Sequence, residues 1–214
     1  QGSYYQVRLT IGKQMKPHLQ VILAQAIKNV PKTVAWKEVQ EESNRYLKFT
    51  QDVYPHYLSE LQGIAAGADV DFVVLFASMC EELWDPHVWE LEHYHSGKGC
   101  TDLAARGRAT KDGSTLLAHT NDELPDHENH LVILKIQAED EPEYLGVSSG
   151  GAAVTAGFNA AGIALTGNQV YPNDCKPGVP RQLMVRAIMG ARRLGEALQT
   201  CVLPERASNY NNIV

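Results

Sequence analysis

Met15, Leu19, Ile22, Leu23, Ala26, Ile27 and Val30 recur at steps of three and four, which predicts a helix with one core-facing stripe, stopped by Pro31. Trp36, Val39, Tyr46 and Leu47 predict a second amphipathic helix. Tyr54, Leu58, Leu61 and Ala65 predict a third, ending near Gly67. Asp69 or Asp71 can cap a fourth helix over Val70 to Leu83, whose positions are apolar almost all round and so call for burial. These stripes are read as core.

The period changes after Cys100. Lys111-Asp112-Gly113-Ser114 forms a turn between extended runs at Ala104 to Thr110 and Thr115 to Thr120, a hairpin. Leu131 to Ile136, Tyr144 to Val147, Ala152 to Phe158 and Gly162 to Gly167 read as further strands. The last two are joined by Asn159-Ala160-Ala161-Gly162, a tight turn with glycine where positive φ is needed. Pro177-Gly178-Val179-Pro180 leads into a helix over Arg181 to Met189, and Leu194 to Leu198 suggests another. Ala207 to Val214 reads as an extended segment without its next neighbour. The whole is an α+β chain, helical before Cys100 and strand-rich after it.

Composition adds exclusions. The 214 residues are 44% apolar and 21% charged, ample for a sizeable core and for one domain, or one in two pieces. A net charge of −6 with dispersed Lys and Arg gives no footprint for nucleic acid or an anionic membrane surface. The apolar stretch Val70 to Cys80 is too short to span a bilayer. Cysteines at 80, 100, 175 and 201 fit neither a disulfide framework nor paired metal knuckles. No secretory signal opens the sequence and it contains no Asn-x-Ser/Thr acceptor, so an intracellular location is the expectation. In the acidic connector from Glu81 to His95, His93 and His95 share one face of an extended segment. A metal site there needs a third ligand, and none stands at a recognisable spacing; a solvated linker is the reading taken, with no cofactor expected.

The candidate chemistry lies at Gly99-Cys100, the junction of the two halves. A cysteine is a strong nucleophile only as thiolate and needs a base. If the Gly99-Cys100 bond breaks, Cys100 carries its own α-amine, whose ordinary pKa is about 7.7 to 8.0. The break itself would be attack of the Cys100 thiol on the Gly99 carbonyl, giving a thioester that water opens. An inert buried thiol is the alternative reading of the same residue.

Gly99-Cys100-Thr101, the Asn121-Asp122 pair, Gly157-Phe158-Asn159-Ala160-Ala161-Gly162-Ile163-Ala164 followed by Asn168, and Gly178-Val179-Pro180 with Arg186 occur in that order. Together with Gly2-Ser3-Tyr4-Tyr5 and Glu81-Glu82-Leu83, the set resembles the acyl-coenzyme A:6-aminopenicillanic acid acyltransferase (isopenicillin N acyltransferase) family of N-terminal nucleophile hydrolases. The resemblance implies self-cleavage before Cys100 into a helical α fragment (1–99) and a β fragment (100–214), which stay associated in a four-layer αββα sandwich. It implies an acyl-cysteine at Cys100, Asp122 orienting the new amine, and Asn168 binding the tetrahedral oxyanion. His119 and Thr101 are assisting candidates.

The implied partner is a small acyl-amide substrate, with acyl-coenzyme A as a candidate donor and a homo-oligomer as a candidate assembly. Asp102 departs from the family's small hydroxyl residue, and His119 from the arginine of several related enzymes. The resemblance also implies sequence past the point matching Val214, carrying a Thr-Asn-His oxyanion asparagine and more of the sheet, so the fold is expected to be incomplete at its C-terminus. A noncatalytic, uncleaved member of the fold, serving as a binding or assembly partner, is the alternative.

Overall fold

A computed structural model describes residues 2–84, 100–122, 125–168, 170, 174–208 and 211–214. The connector from 85 to 99, with His93, His95 and Gly99, lies outside the described residues. Helices α1 (Tyr4–Asn29), α2 (Trp36–Val53), α3 (Pro55–Ala68), α4 (Phe72–Met79) and α5 (Glu81–Trp84) come first. Then follow β1 (Thr101–Gly107), β2 (Gly113–Thr120), a 3-10 turn (Pro125–His130), β3 (Leu131–Ile136), β4 (Tyr144–Ser149), β5 (Ala153–Asn159) and β6 (Ala164–Asn168). Helices α6 (Arg181–Gly190) and α7 (Leu194–Cys201) and strand β7 (Asn211–Ile213) close the described part. No helix of the described residues is long and apolar enough to cross a membrane.

The helices end where local chemistry ends them. The Ser3 hydroxyl accepts from the Gln6 N–H at 3.3 Å and starts α1, well before Met15, the first position of the apolar stripe. Val30, pressed toward extended backbone by Pro31, terminates it. Asp69 closes α3 in the left-handed region, φ 55°, while the Asp71 carboxylate caps α4 by accepting from Val74 N–H at 3.0 Å. The single helix expected over Val70 to Leu83 is broken at Cys80, whose N–H turns back to the Ala77 carbonyl at 3.1 Å. Trp84 Nε1 also donates to the Ala77 carbonyl, at 3.1 Å, so the short α5 is folded back against the end of α4.

Helices α1 and α3 cross at van der Waals contact of their backbones. Gly12 on α1 faces the Ile64 carbonyl, and Gly67 on α3 faces the Leu9 carbonyl, so that a Cβ at either would collide with main chain. One core fills the space among α1 to α4 and the Leu183, Met184 and Ala187 side of α6. A second lies between the sheet (Leu134, Ile136, Tyr144, Val154, Leu165) and the Val185, Ile188 and Met189 side of α6. Every residue from Arg181 to Met189 is buried, so α6 is the wedge that joins the helical half to the sheet.

Five antiparallel strands form that sheet in the order β3-β4-β5-β6-β7, and β1 with β2 forms a separate two-stranded sheet. The expected hairpin is there with a shifted register: Thr101 pairs with Thr120, Asp102 with His119 and Gly107 with Gly113. Residues 108–112, read as strand and turn, are the loop, because Gly107 at φ 59° turns the chain early. The expected turn after β5 holds, with Gly162 at φ 83°. Asn159 fixes it: Oδ1 accepts from Ala161 and Ile163 N–H at 3.0 Å each, and Nδ2 donates to the Met189 and Ala191 carbonyls at 2.9 and 2.7 Å. The sheet-to-α6 contact is thus pinned by one side chain.

Candidate active site

The hairpin carries the nucleophile candidate at its open end. In antiparallel pairing, residues two apart on one strand, and their partners opposite, share a face. Asp102 pairs with His119, so Cys100 and Asn121, one step further out, fall on that same face. The thiol of Cys100 donates to Asn121 Oδ1 at 2.9 Å. His119 Nδ1 lies 2.7 Å from Asp102 Oδ1, and the two side chains are only 11% and 3% exposed. An ionised carboxylate only accepts, so Nδ1 carries the hydrogen and Nε2 of the neutral ring is the basic nitrogen.

This face packs toward β6, while Leu103 and Leu116 on the opposite face stand 58% and 56% exposed. The usual arrangement of apolar inside and polar outside is therefore inverted around the thiol. Asn168 ends β6, and its Oδ1 is buried with no hydrogen-bond partner among the described residues; Thr166 Oγ1, two residues earlier on the same strand, is likewise. Asp122 follows directly after Asn121 and is exposed, and Thr101 is exposed and paired across to Thr120. Cys100, Asp102, His119 and Asn121 are thus brought together on one hairpin face. Asn168 comes from the strand packed against that hairpin, and Gly99 lies outside the described residues. Asn121, legible in sequence only as part of a motif, is the side chain that contacts the thiol. Strand alternation from Cys100 and across the pair to Asn121 is the signal that could have found it.

The other cysteines have different surroundings. Cys80 is fully buried, gives its thiol hydrogen to the Phe76 carbonyl at 3.4 Å, and burial holds it well above the ordinary thiol range. Desolvation also raises Cys201, and raises Cys175 with help from the Glu82 and Asp174 carboxylates.

Elsewhere in the fold, the two halves are tied by a buried ionic cluster. Glu60 on α3 takes Arg8 Nε from α1 at 3.1 Å and Arg186 from α6 at 2.5 to 3.1 Å. Arg186 also reaches Glu141 at 2.5 Å, Arg8 donates to Tyr144 Oη at 3.0 Å, and the Arg186 guanidinium lies 4.5 Å from the Tyr57 ring centroid. Burial by itself would raise Glu60, but Arg186 and then Arg8 outweigh it and hold the carboxyl below its usual range.

The family model of the acyl-coenzyme A:6-aminopenicillanic acid acyl-transferases matches residues 108–214, half of the chain, a segment that includes His119, Asp122 and Asn168. The chain is also similar to the beta-alanyl-dopamine/carcinine hydrolase of Drosophila melanogaster, 25% identical over 173 residues, which are 73% of this chain and 43% of the relative. It spans less than half the length of that curated relative.

Proposed function

The chain belongs to the acyl-coenzyme A:6-aminopenicillanic acid acyl-transferase family, and from that premise we propose that it works as a self-activated cysteine amide hydrolase or acyltransferase. Cys100 attacks the carbonyl before it, the bond breaks through a thioester, and the nitrogen released becomes the α-amine of Cys100. With an ordinary pKa of about 7.7 to 8.0, that amine is a base near neutral pH, held beside the sulfur. The armed thiol then attacks a substrate amide. An acyl-cysteine forms, the amine leaves, and water or a second amine takes the acyl group. Asp122 orients the amine, and the Asn168 amide hydrogens stabilise the oxyanion.

The observation that carries this reading is the Cys100 thiol held by Asn121 at 2.9 Å on the hairpin face that also bears the Asp102–His119 pair. A merely structural cysteine would sit as Cys80 does, fully buried and bonded to a helix carbonyl. The αββα arrangement belongs to the same reading. It is supported by the outer face of the five-stranded sheet, where Ile133 and Phe158 stand 75% and 55% exposed and a second sheet would cover them. The relative's name supplies the first substrate to try, an amide that joins a small acyl group to an amine, with acyl-coenzyme A as the donor for the transfer direction.

Full-length protein incubated with β-alanyl-dopamine, then with a panel of N-acyl amines, tests it. Amine release that disappears in Cys100→Ala, with an acyl adduct trapped on wild-type Cys100, is the expected result. Turnover by Cys100→Ala would contradict it.

A further inference from the structure

Before the bond on the amino side of Cys100 breaks, the nitrogen that later serves as base is an amide nitrogen and has no proton affinity to offer. A thiol with an ordinary pKa of about 8.5 is mostly protonated at neutral pH. Within the self-activation reading, on which this inference rests, the first turnover therefore lacks the base that all later ones have. Asn121, the neighbour that holds the thiol, is a neutral amide and accepts no proton.

We propose that His119, its tautomer set by Asp102, is the proton acceptor for the self-cleavage step at Cys100, and that Asp102 is its positioning residue. Register puts His119 diagonally across from Cys100 on one face of the hairpin. Such diagonal neighbours lie roughly 7 to 8 Å apart at the backbone, within reach of long or aromatic side chains. The 2.7 Å bond to Asp102 keeps the hydrogen on Nδ1 and leaves Nε2 basic. Asp102 Oδ2 is buried without a hydrogen-bond partner among the described residues, a costly state that a hairpin needing only cross-strand packing would avoid. That carboxylate and imidazole occupy the inward face while Leu103 and Leu116 point outward. Among the described residues, the titratable groups at the thiol end of this face are Cys100, Asp102 and His119, and Arg106 lies further along β1 at the bulge. Asp122 follows just beyond Asn121, and β6, packed against the hairpin, brings Thr166 and Asn168 but no charge.

The step balances without an outside reagent other than water. Nε2 takes the thiol proton as Sγ bonds to the preceding carbonyl carbon. The carbon–nitrogen bond then breaks as the imidazolium returns that proton to the Cys100 nitrogen, which becomes the free amine. Water subsequently opens the thioester and restores the thiol. From then on the amine is at hand beside the sulfur.

The experiment follows the fraction of full-length protein cleaved with time, from pH 5 to 9, for wild type, His119→Ala, His119→Gln, Asp102→Asn and Cys100→Ala. Wild-type cleavage is expected to slow toward the acid end of this range, where the proton acceptor is already filled. Both His119 variants lose about 100-fold or more in rate, the usual scale for a general base. Added imidazole restores His119→Ala, and Asp102→Asn slows cleavage and displaces its pH profile.

His119→Ala cleaving at the wild-type rate overturns the proposal while leaving the Cys100 reading intact. A loss in His119→Ala that imidazole does not restore and His119→Gln does not share makes His119 structural and overturns it equally. A wild-type protein that stays whole at every pH removes the self-cleavage itself, a different failure from either.

Discussion

Arg186 Nε lies 2.9 and 3.1 Å from the two carboxylate oxygens of Glu60, so that a residue following the proposed cleavage point is locked to one preceding it. With Arg8, Glu141 and Tyr144 completing the cluster, the two halves share charge in a place water does not reach. A pair of this kind contributes little over apolar packing when whole, but breaking it strands a buried charge.

Glu60→Gln leaves two guanidiniums facing a neutral amide and is expected to lower stability by about 3 to 5 kcal/mol, measured by denaturant unfolding. The same variant loosens the association of the two fragments after cleavage: wild-type fragments co-elute on gel filtration, and those of Glu60→Gln separate. The pH dependence has a definite sign. Glu60 is held below its unfolded value of about 4.3, so its contribution is present above that pH and is lost as pH falls through the lower folded value. Equal acid-unfolding midpoints for wild type and Glu60→Gln would contradict this.

Glu82 behaves in the opposite sense. Burial raises its pKa, partly offset by the Ser208 hydroxyl at 2.6 Å and the Arg181 N–H at 3.0 Å, with which it caps the start of α6. The folded protein therefore binds the proton more tightly than the unfolded chain, and stability falls as pH rises from about 4.3 toward the raised value. Glu82→Gln keeps an acceptor for both donors and removes the charge. It is expected to be more stable than wild type at pH 8, with the gap closing toward pH 4, in thermal melts across that range.

Two glycines give a matched test of the helix crossing. Gly67→Ala drives a methyl into the Leu9 carbonyl on α1 and should cost about 1 to 3 kcal/mol or more. Gly195→Ala on α7 meets nothing within 4 Å and should gain up to about 1 kcal/mol. Chemical denaturation of both reads the contrast, and a harmless Gly67→Ala would contradict the close crossing.

What sequence shows and hides here follows from what each signal measures. Periodicity reports which face is buried, so the stripes at Leu19, Leu23, Leu58 and Leu61 were legible; α6 was legible as a helix, but Arg181, Gln182 and Arg186 gave no sign of its burial on every side. Gly162 marked its turn because positive φ restricts the residue types that fit. The break at Cys80 was hidden, since residues on both sides are apolar and buried, and the turn is made by the Cys80 N–H and Trp84 bonding to Ala77. Arg8 and Glu60 drew no notice because a charged residue in a helix ordinarily faces water; only the meeting of α1, α3 and α6 pairs them. At the site, Cys100 and His119 were each visible as residue types. Their juxtaposition depends on the hairpin register, and a turn at 111–114 slides every pair by four residues, which keeps the faces but takes Cys100 away from Asn121.

Intact mass of the full-length protein, wild type beside Cys100→Ala, bears most directly on the proposal that the chain arms its own nucleophile. Two fragments in wild type, the second starting at Cys100, with a single uncut chain in Cys100→Ala, is the result predicted. A wild-type chain that remains whole, or a Cys100→Ala protein cut at the same bond, would contradict it.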